Sequence, residues 1–273
     1  MGIITISRQV GSLGDEIAQT LAKALGYKLI GQDEFRAATR RHVHDFGEKL
    51  SRIENENAPG FFDRLFFNTP VYQSLYESVV FDLAGRRQVI ILGRGAQIVL
   101  KDIKQVFKVR ITAPLETRLA RVRQVLKISE EEAAEYVKKY DARRRDLVKK
   151  VFEQDPSNWS LYDLILNTEY LDEAAGVATI KAAHQEMMRL QPTGEAGRTL
   201  QCLALAKIVE ARLRDEFPNR DIKVKSETDG ILILTGVLPT SADRQKAEKI
   251  AENFPGILQV VNDLRTGVFV YGP

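Results

Sequence analysis

A single cysteine, Cys202, occurs among the 273 residues, so the chain cannot close a disulfide on itself. That scarcity suits a reducing compartment. Cys202 sits in an apolar helical run and reads as a small buried hydrophobe rather than a nucleophile. No stretch of about 18 apolar residues is present, which leaves no candidate for a membrane-spanning helix. Residues 1–11 show no basic segment leading into a long apolar one, so no secretory signal is expected. Met1-Gly2 opens like a myristoylation site, but Ile6 occupies the place that requires Ser or Thr. Net charge is low, at +3. With no basic stripe carrying interleaved aromatics, no nucleic-acid partner is expected. The histidines number 3. His42 and His44 are two positions apart and point to different sides of a helix, and His184 is remote, so no metal centre is expected. Together these absences describe a chain expected in the cytoplasm, with no transmembrane segment.

What the sequence does have is apolar periodicity, with 44% hydrophobic residues, ample for a core. A buried strand at Ile3–Ser7 leads into a turn at Arg8–Gly14 and a helix from Asp15 to Leu25. Ile17, Leu21 and Leu25 recur there at i, i+4 and i+8, and Gly26 stops the helix. A short strand at Tyr27–Ile30, a charged helical stretch at 32–57, an irregular aromatic-rich segment at 58–70 and a helix at 71–86 follow. Strands at Val89–Leu92 and Val106–Thr112 flank Gly93-Arg94-Gly95. A helix covers 115–127. Ser129 and the three glutamates after it read as the cap and acidic first turn of a helix running through Arg145 or beyond. A strand at Leu161–Leu166 and a helix at 172–190 close the series. Short apolar strands alternating with helices predict an α/β domain, a parallel sheet with helices on both faces. Ligands of such sheets sit at the carboxyl ends of the strands.

Residues 191–198 are polar and turn-rich and predict a linker, dividing the chain into domains at 1–190 and 199–273. The second part reads as a helix at 199–215, with Leu205, Val209 and Leu213 on one face, and strands at Ile222–Ser226 and Ile231–Thr235. Asp229-Gly230 is the hairpin turn between those strands. A helix at Ser241–Asn253 and a strand at Leu258–Leu264 complete a small α+β unit of order αββαβ.

The Arg8–Gly14 turn has the context of a phosphate cradle. Backbone N–H groups of a glycine-containing turn and a helix start converge on one spot, and the helix dipole favours an anion there. The usual pattern is G-x-x-x-x-G-K-[ST]. Laid over this chain, the first Gly falls on Arg8, the second on Leu13, the Lys on Gly14 and the hydroxyl residue on Asp15. The lysine is absent, and Asp15 and Glu16 put carboxylates where a phosphate would meet repulsion unless a divalent ion bridges the two. An ordinary βα turn is the competing reading. Arg8 is the candidate to supply the missing charge, since a planar guanidinium matches phosphate oxygens. Asp141 and Arg145 share a helix face, which permits an i, i+4 ion pair. Trp159 and the group Phe61, Phe62, Phe66 and Phe67 read as core or interface.

Several motifs in order carry a resemblance: ITISRQVGSLGDEIA at 4–18, LGYKL at 25–29, VIILGRGA at 89–96, ITAPLETRLARV at 111–122, YDARRR at 140–145 and YDLILNT at 162–168. They resemble the cytidylate kinase-like family over roughly residues 1–185. Its members carry an I-S-R-x-x-G-S-x-G-x-E-I-A loop, also without the lysine. Leu13 and Asp15 depart from it, where the family often shows Gly and Arg. The resemblance implies a P-loop kinase-like fold that binds a nucleoside triphosphate, ATP, with Mg²⁺. It implies Gly11, Ser12, Leu13, Gly14, Asp15 and Glu16 at the cofactor, and Arg8, Arg94, Arg143 and Arg145 as catalytic cations, the last two on a closing lid. Asp33, Arg36, Arg40 and Arg94 are the acceptor-binding candidates. True cytidylate kinases follow the Arg94 position with Asp, where this chain has Gly95.

IKVK at 222–225, DGILILTGVLP at 229–239, AEKIA at 247–251 and FPGILQVVNDL at 254–264 are similar to a BON domain over about 198–266. That family is associated with membranes, lipid or small ligands, and assembly, which implies an accessory binding or homo-oligomerisation module. Charges there are nearly balanced, so no polybasic membrane patch is read. Two nucleotide-binding functions stand open, beside a third reading as a purely structural or interaction protein. One is phosphotransfer from a nucleoside triphosphate to a nucleoside monophosphate or other small acceptor. The other is a degraded pseudokinase that binds nucleotide or another anion and assembles through the BON-like part.

Overall fold

The computed structural model describes residues 2–44, 70–190, 196–228 and 230–267. The chain forms two compact units. One comprises Met1–Phe35 with Arg86–Gly194, the other Arg36–Gly85 with Glu195–Pro273.

In the first unit, apolar runs at β1 (Ile3–Arg8), β2 (Lys28–Ile30), β3 (Val89–Leu92), β4 (Val106–Thr112) and β5 (Leu164–Asn167) form one sheet of order β2-β3-β1-β4-β5. Every pairing is parallel, and Arg8 stands opposite Ile111 at the carboxyl end. Helices α1 (Gly14–Leu25) and α7 (Glu173–Leu190) close one face, burying Ile17, Leu21, Val177 and Ile180 against Ile4, Ile6, Ile90, Val109 and Ile111. His184 of α7 is buried in this layer, its Nε2 3.2 Å from the Tyr27 hydroxyl and its Nδ1 without a hydrogen-bond partner. A short α4 (Ala96–Val99) follows β3. Helices α5 (Leu115–Leu126) and α6 (Glu130–Phe152) pack as a hairpin through Val122, Ala133 and Val137. The start of α6 is the expected one: Ser129 Oγ accepts from Glu132 N–H at 3.2 Å, and Glu132 accepts from Ser129 N–H at 2.8 Å. The last strand begins later than Leu161. Asn158 caps a tight turn at Trp159–Leu161 by accepting from Ser160 N–H at 3.1 Å, and this holds those residues out of the sheet. Trp159 itself is 76% exposed.

Helix α2 (Gln32–His44) starts in the first unit and continues into the second, which also holds α3 (Pro70–Gly85), α8 (Ala196–Glu216), β6 (Lys223–Thr228), β7 (Ile231–Leu238), α9 (Ser241–Glu252) and β8 (Gln259–Thr266). The small sheet has the order β6-β7-β8, antiparallel then parallel. Val209, Leu213, Ala247 and Ala251 bury its inner residues Leu232, Leu234 and Leu264. Strand β7 runs on past Thr235 because β8 pairs alongside it as far as Leu238. Helix α3 packs on α8 through Leu75 and Ala211. There Glu210, 2% exposed, accepts from Ser74 Oγ at 2.8 Å and from Val224 N–H at 2.9 Å, and pairs with Lys207 at 3.1 Å and Arg214 at 3.2 Å. Asp229, the phenylalanine group at 61–67, the remainder of the 32–57 stretch past His44 and residues 191–195 of the expected linker lie outside the described residues.

Candidate functional site

Between β1 and α1 the turn is fastened by buried hydrogen bonds. Ser12 is fully buried and donates its hydroxyl to Gln9 O at 2.8 Å. Gln9 N–H donates to Ile111 O at 3.1 Å. Gly11 and Leu13 take left-handed backbone, with φ of 73° and 59°. For a leucine this costs about 1 kcal/mol or more, strain of the kind found at binding turns. Left-handed residues interleaved in a turn direct successive N–H groups to one side. The α1 ladder begins where Ile17 N–H donates to Leu13 O at 2.9 Å. The N–H groups of Gly14, Asp15 and Glu16 therefore stand outside it, at the positive end of the helix dipole.

Gly14 accounts for the missing lysine. A Cβ there would lie 2.4 Å from Arg8 Cβ and 2.6 Å from Arg8 Cγ, so the arginine stem fills the space a side chain at position 14 would need. On the other side is Gly93, with φ of 76°, where a Cβ would lie 2.7 Å from Arg8 Nη1. Two glycines at the ends of different elements thus form a slot for one arginine. The cation that the helix start lacks comes from the strand end instead. Arg8 is 14% exposed, and its Nη2 donates to Asp15 Oδ1 at 2.7 Å. Burial alone would raise the Asp15 carboxyl, but the hydrogen bond and charge of Arg8, with Arg144, hold it below the usual carboxylate range.

Arg144 of α6 donates to Arg8 O at 3.0 Å and lies 3.7 Å from Asp15. Burial, then the neighbouring charge of Arg8, pushes its guanidinium down to about 10. Asp141 ties α6 to the turn. It accepts from Val10 N–H at 3.0 Å and from Arg118 Nη1 at 2.6 Å. Arg118 is buried and also donates to Ala113 O at 3.1 Å and Val10 O at 3.2 Å. Asp141 therefore pairs across to α5 and not with Arg145, since a desolvated guanidinium binds a carboxylate more strongly than an exposed one does. Arg121 donates to Thr168 O at 2.7 Å and to Thr168 Oγ1 at 3.1 Å, holding the end of β5 near the turn.

Arg94 has φ of 62° and lies over the Phe35 ring at 5.7 Å. Asp33 and Glu16 are exposed. Arg143 lies over the Tyr140 ring at 5.3 Å, and Arg145 is exposed. Arg36 and Arg40 fall in the second unit, half-buried and exposed respectively. Of the Arg143–Arg145 run, Arg144 is the member that reaches the turn. Helical phase could have singled it out, because Ala133, Val137, Val148 and Val151 form the buried stripe of α6. Arg144 falls on that stripe, seven residues after Val137 and four before Val148.

A parallel sheet with a glycine turn and cations at its carboxyl end defines a P-loop kinase-like protein. The fold is shared with an uncharacterized protein from Eubacterium ventriosum, at TM-score 0.52 and 19% identity, covering 68% of this chain and 98% of that one. Residues 3–170 match the model of the cytidylate kinase-like family, and the chain belongs to that family. Residues 204–267 match the BON domain. Among curated proteins, the cytidylate kinase of Ignicoccus hospitalis is 27% identical over 184 residues, 66% of this chain and 98% of that protein. Osmotically-inducible protein Y of Escherichia coli is 37% identical over 75 residues, 27% of this chain and 35% of that protein. Among the described residues no helix is long and apolar enough to cross a membrane, and no group of three or more His, Cys, Asp and Glu could hold a metal.

Proposed function

We propose that the first unit transfers the γ-phosphoryl of a nucleoside triphosphate, ATP by resemblance, to a nucleoside monophosphate or another small acceptor. The observation that carries this reading is the Arg8 slot, which holds the arginine stem against Gly14 and its guanidinium on the Asp15 carboxylate at the start of α1, where the usual ammonium is missing. Phosphoryl transfer asks little covalent work of the protein, and positioning plus positive charge supplies the catalysis. The backbone from Gly11 to Glu16 would cradle the donor phosphates. Arg8 and Arg144 would take the charge that develops on the transferred group. Arg94 and Asp33 are the acceptor candidates within this unit, and Arg143 and Arg145 are the lid cations. Mg²⁺ takes one or two carboxylates together with phosphate and water, and Asp15 is the carboxylate at the start of α1 that would hold it on release from Arg8 and Arg144. When bound, Mg²⁺ supplies charge neutralisation between the phosphates. The likeness to cytidylate kinases supports a nucleotide acceptor. The BON-like part would serve as a small-ligand, lipid or self-association module, in a cytoplasmic protein.

A second reading is favoured by Asp15, the carboxylate that stands where the metal-side hydroxyl is expected. Here the protein binds nucleotide or another anion without turnover and acts through its BON-like part. Thermal shift with ATP, CTP, CMP and dCMP, with and without Mg²⁺, tests both. Stabilisation is expected, and its absence with all four rejects both. Stabilisation without phosphate transfer, followed by phosphorus NMR over hours, leaves the second.

A further inference from the structure

Arg110 takes no part in the cradle, and it has no carboxylate partner among the described residues. Strand register sets it beside Ser7, one residue before the end of β1. Val109 and Ile111 are in the core under α1 and α7, so alternation turns Arg110 to the opposite face of the sheet. There its Nη1 donates to Ser7 Oγ at 2.6 Å, and its guanidinium lies over the Tyr162 ring at 5.8 Å. The tyrosine is itself fixed. Its hydroxyl donates to Pro156 O at 2.8 Å and lies 3.5 Å from both Ser7 Oγ and Gln97 Nε2. Gln97 is buried in α4, just past the Gly93–Gly95 turn. An arginine held this way gives up hydration and rotamer freedom for one neutral hydrogen bond and one ring contact. A folding role alone does not repay that cost. Its charge also bears on Arg144. Arg8 and Arg144 share the single carboxylate of Asp15, and Arg110 has none, which leaves these three guanidiniums with a surplus of two positive charges at the carboxyl end of the sheet.

Resting on the phosphotransfer reading, we infer that Arg110 binds an anionic group of the acceptor from the sheet face opposite α1, with Ser7 and Tyr162 as positioning residues. Acceptors bearing a phosphate or carboxylate are then preferred over neutral alcohols.

The test uses the full chain and two inorganic probes, linear tripolyphosphate and linear pentaphosphate, titrated calorimetrically. Wild type is expected to bind the longer probe about tenfold more tightly, because its extra phosphates reach Arg110 and one charge-assisted hydrogen bond is worth about that factor. Arg110→Gln should abolish the preference and leave tripolyphosphate affinity within about twofold, while Arg110→Lys keeps part of it. Ser7→Ala should reduce the preference, and Ser7→Thr should restore it. Should the glutamine variant fail to fold, Arg110→Met, which keeps its stem against Tyr162, is read by the same rule. No preference in wild type, an unchanged preference in Arg110→Gln, or equal loss of both probes overturns the inference and leaves the cradle standing. No tripolyphosphate binding by wild type overturns both.

Discussion

Replacing Asp15 by asparagine should strengthen, not weaken, the binding of a metal-free polyphosphate. The substitution keeps the shape of the side chain and removes a negative charge that now occupies Arg8 at 2.7 Å and Arg144 at 3.7 Å. Asp15 is 46% exposed, so an effective dielectric of about 40, between the near-surface and bulk-water values, is appropriate. A phosphate charge about 6 Å from the carboxylate is then repelled by about 1.4 kcal/mol, a factor of about ten in affinity. Isothermal titration of wild type and Asp15→Asn with tripolyphosphate in EDTA reads this directly. The gain should shrink as salt rises from 0.05 to about 0.5 M, since the pair is partly solvated. Adding Mg²⁺ should reverse the order, because the carboxylate then becomes a ligand. Equal or weaker binding by the variant without metal would refute the electrostatic account of the turn.

Three further outcomes are expected. Asp141→Ala leaves the buried Arg118 guanidinium without its carboxylate. The cost should be about 3 kcal/mol in urea denaturation, the low end for a broken buried pair because two carbonyl bonds to Arg118 survive. A loss under about 0.5 kcal/mol would contradict the geometry. Burial pushes the His184 imidazole down to about 4. Its folded-state value lies below its unfolded one, so its contribution is intact above about pH 6.5 and is lost as pH falls towards 4, by on the order of 3 kcal/mol. His184→Gln should flatten that part of the stability–pH curve, and a curve parallel to wild type argues against it. Gly14→Ala drives a methyl into the Arg8 stem and should both destabilise the fold by about 1–3 kcal/mol and abolish tripolyphosphate binding. Retained binding in a folded variant would show that Arg8 is not needed there.

Local chemistry made much of the fold legible. The apolar runs at Ile3, Val89 and Val106 gave strands because nothing but a doubly covered sheet buries them, and the Ser129–Glu132 capping box fixed a helix start. The rest depended on contacts distant in sequence. Asp141 and Arg118 sit on different helices, and the neighbour four residues away, Arg145, looked like the natural partner. The run at 143–145 declared its charge, but which member turns inward is a matter of helical phase, and the stripe of α6 had to be counted to choose Arg144. Nor did the pattern say why position 14 is glycine. That answer lies in the path of the Arg8 side chain. Leu13, left-handed without being glycine or asparagine, gave no local sign of its backbone at all.

The packing of α3 on α8 bears on how this protein can be dissected. A fragment ending at Leu190 would bare Ser74 and Leu75, residues that are completely enclosed in the whole chain. One beginning at Ala196 would leave Glu210 without the hydroxyl that helps to solvate it. Separate expression of the two recognisable sequence modules should therefore give aggregation-prone pieces, and activity lost in such a fragment would say nothing about which half does the chemistry.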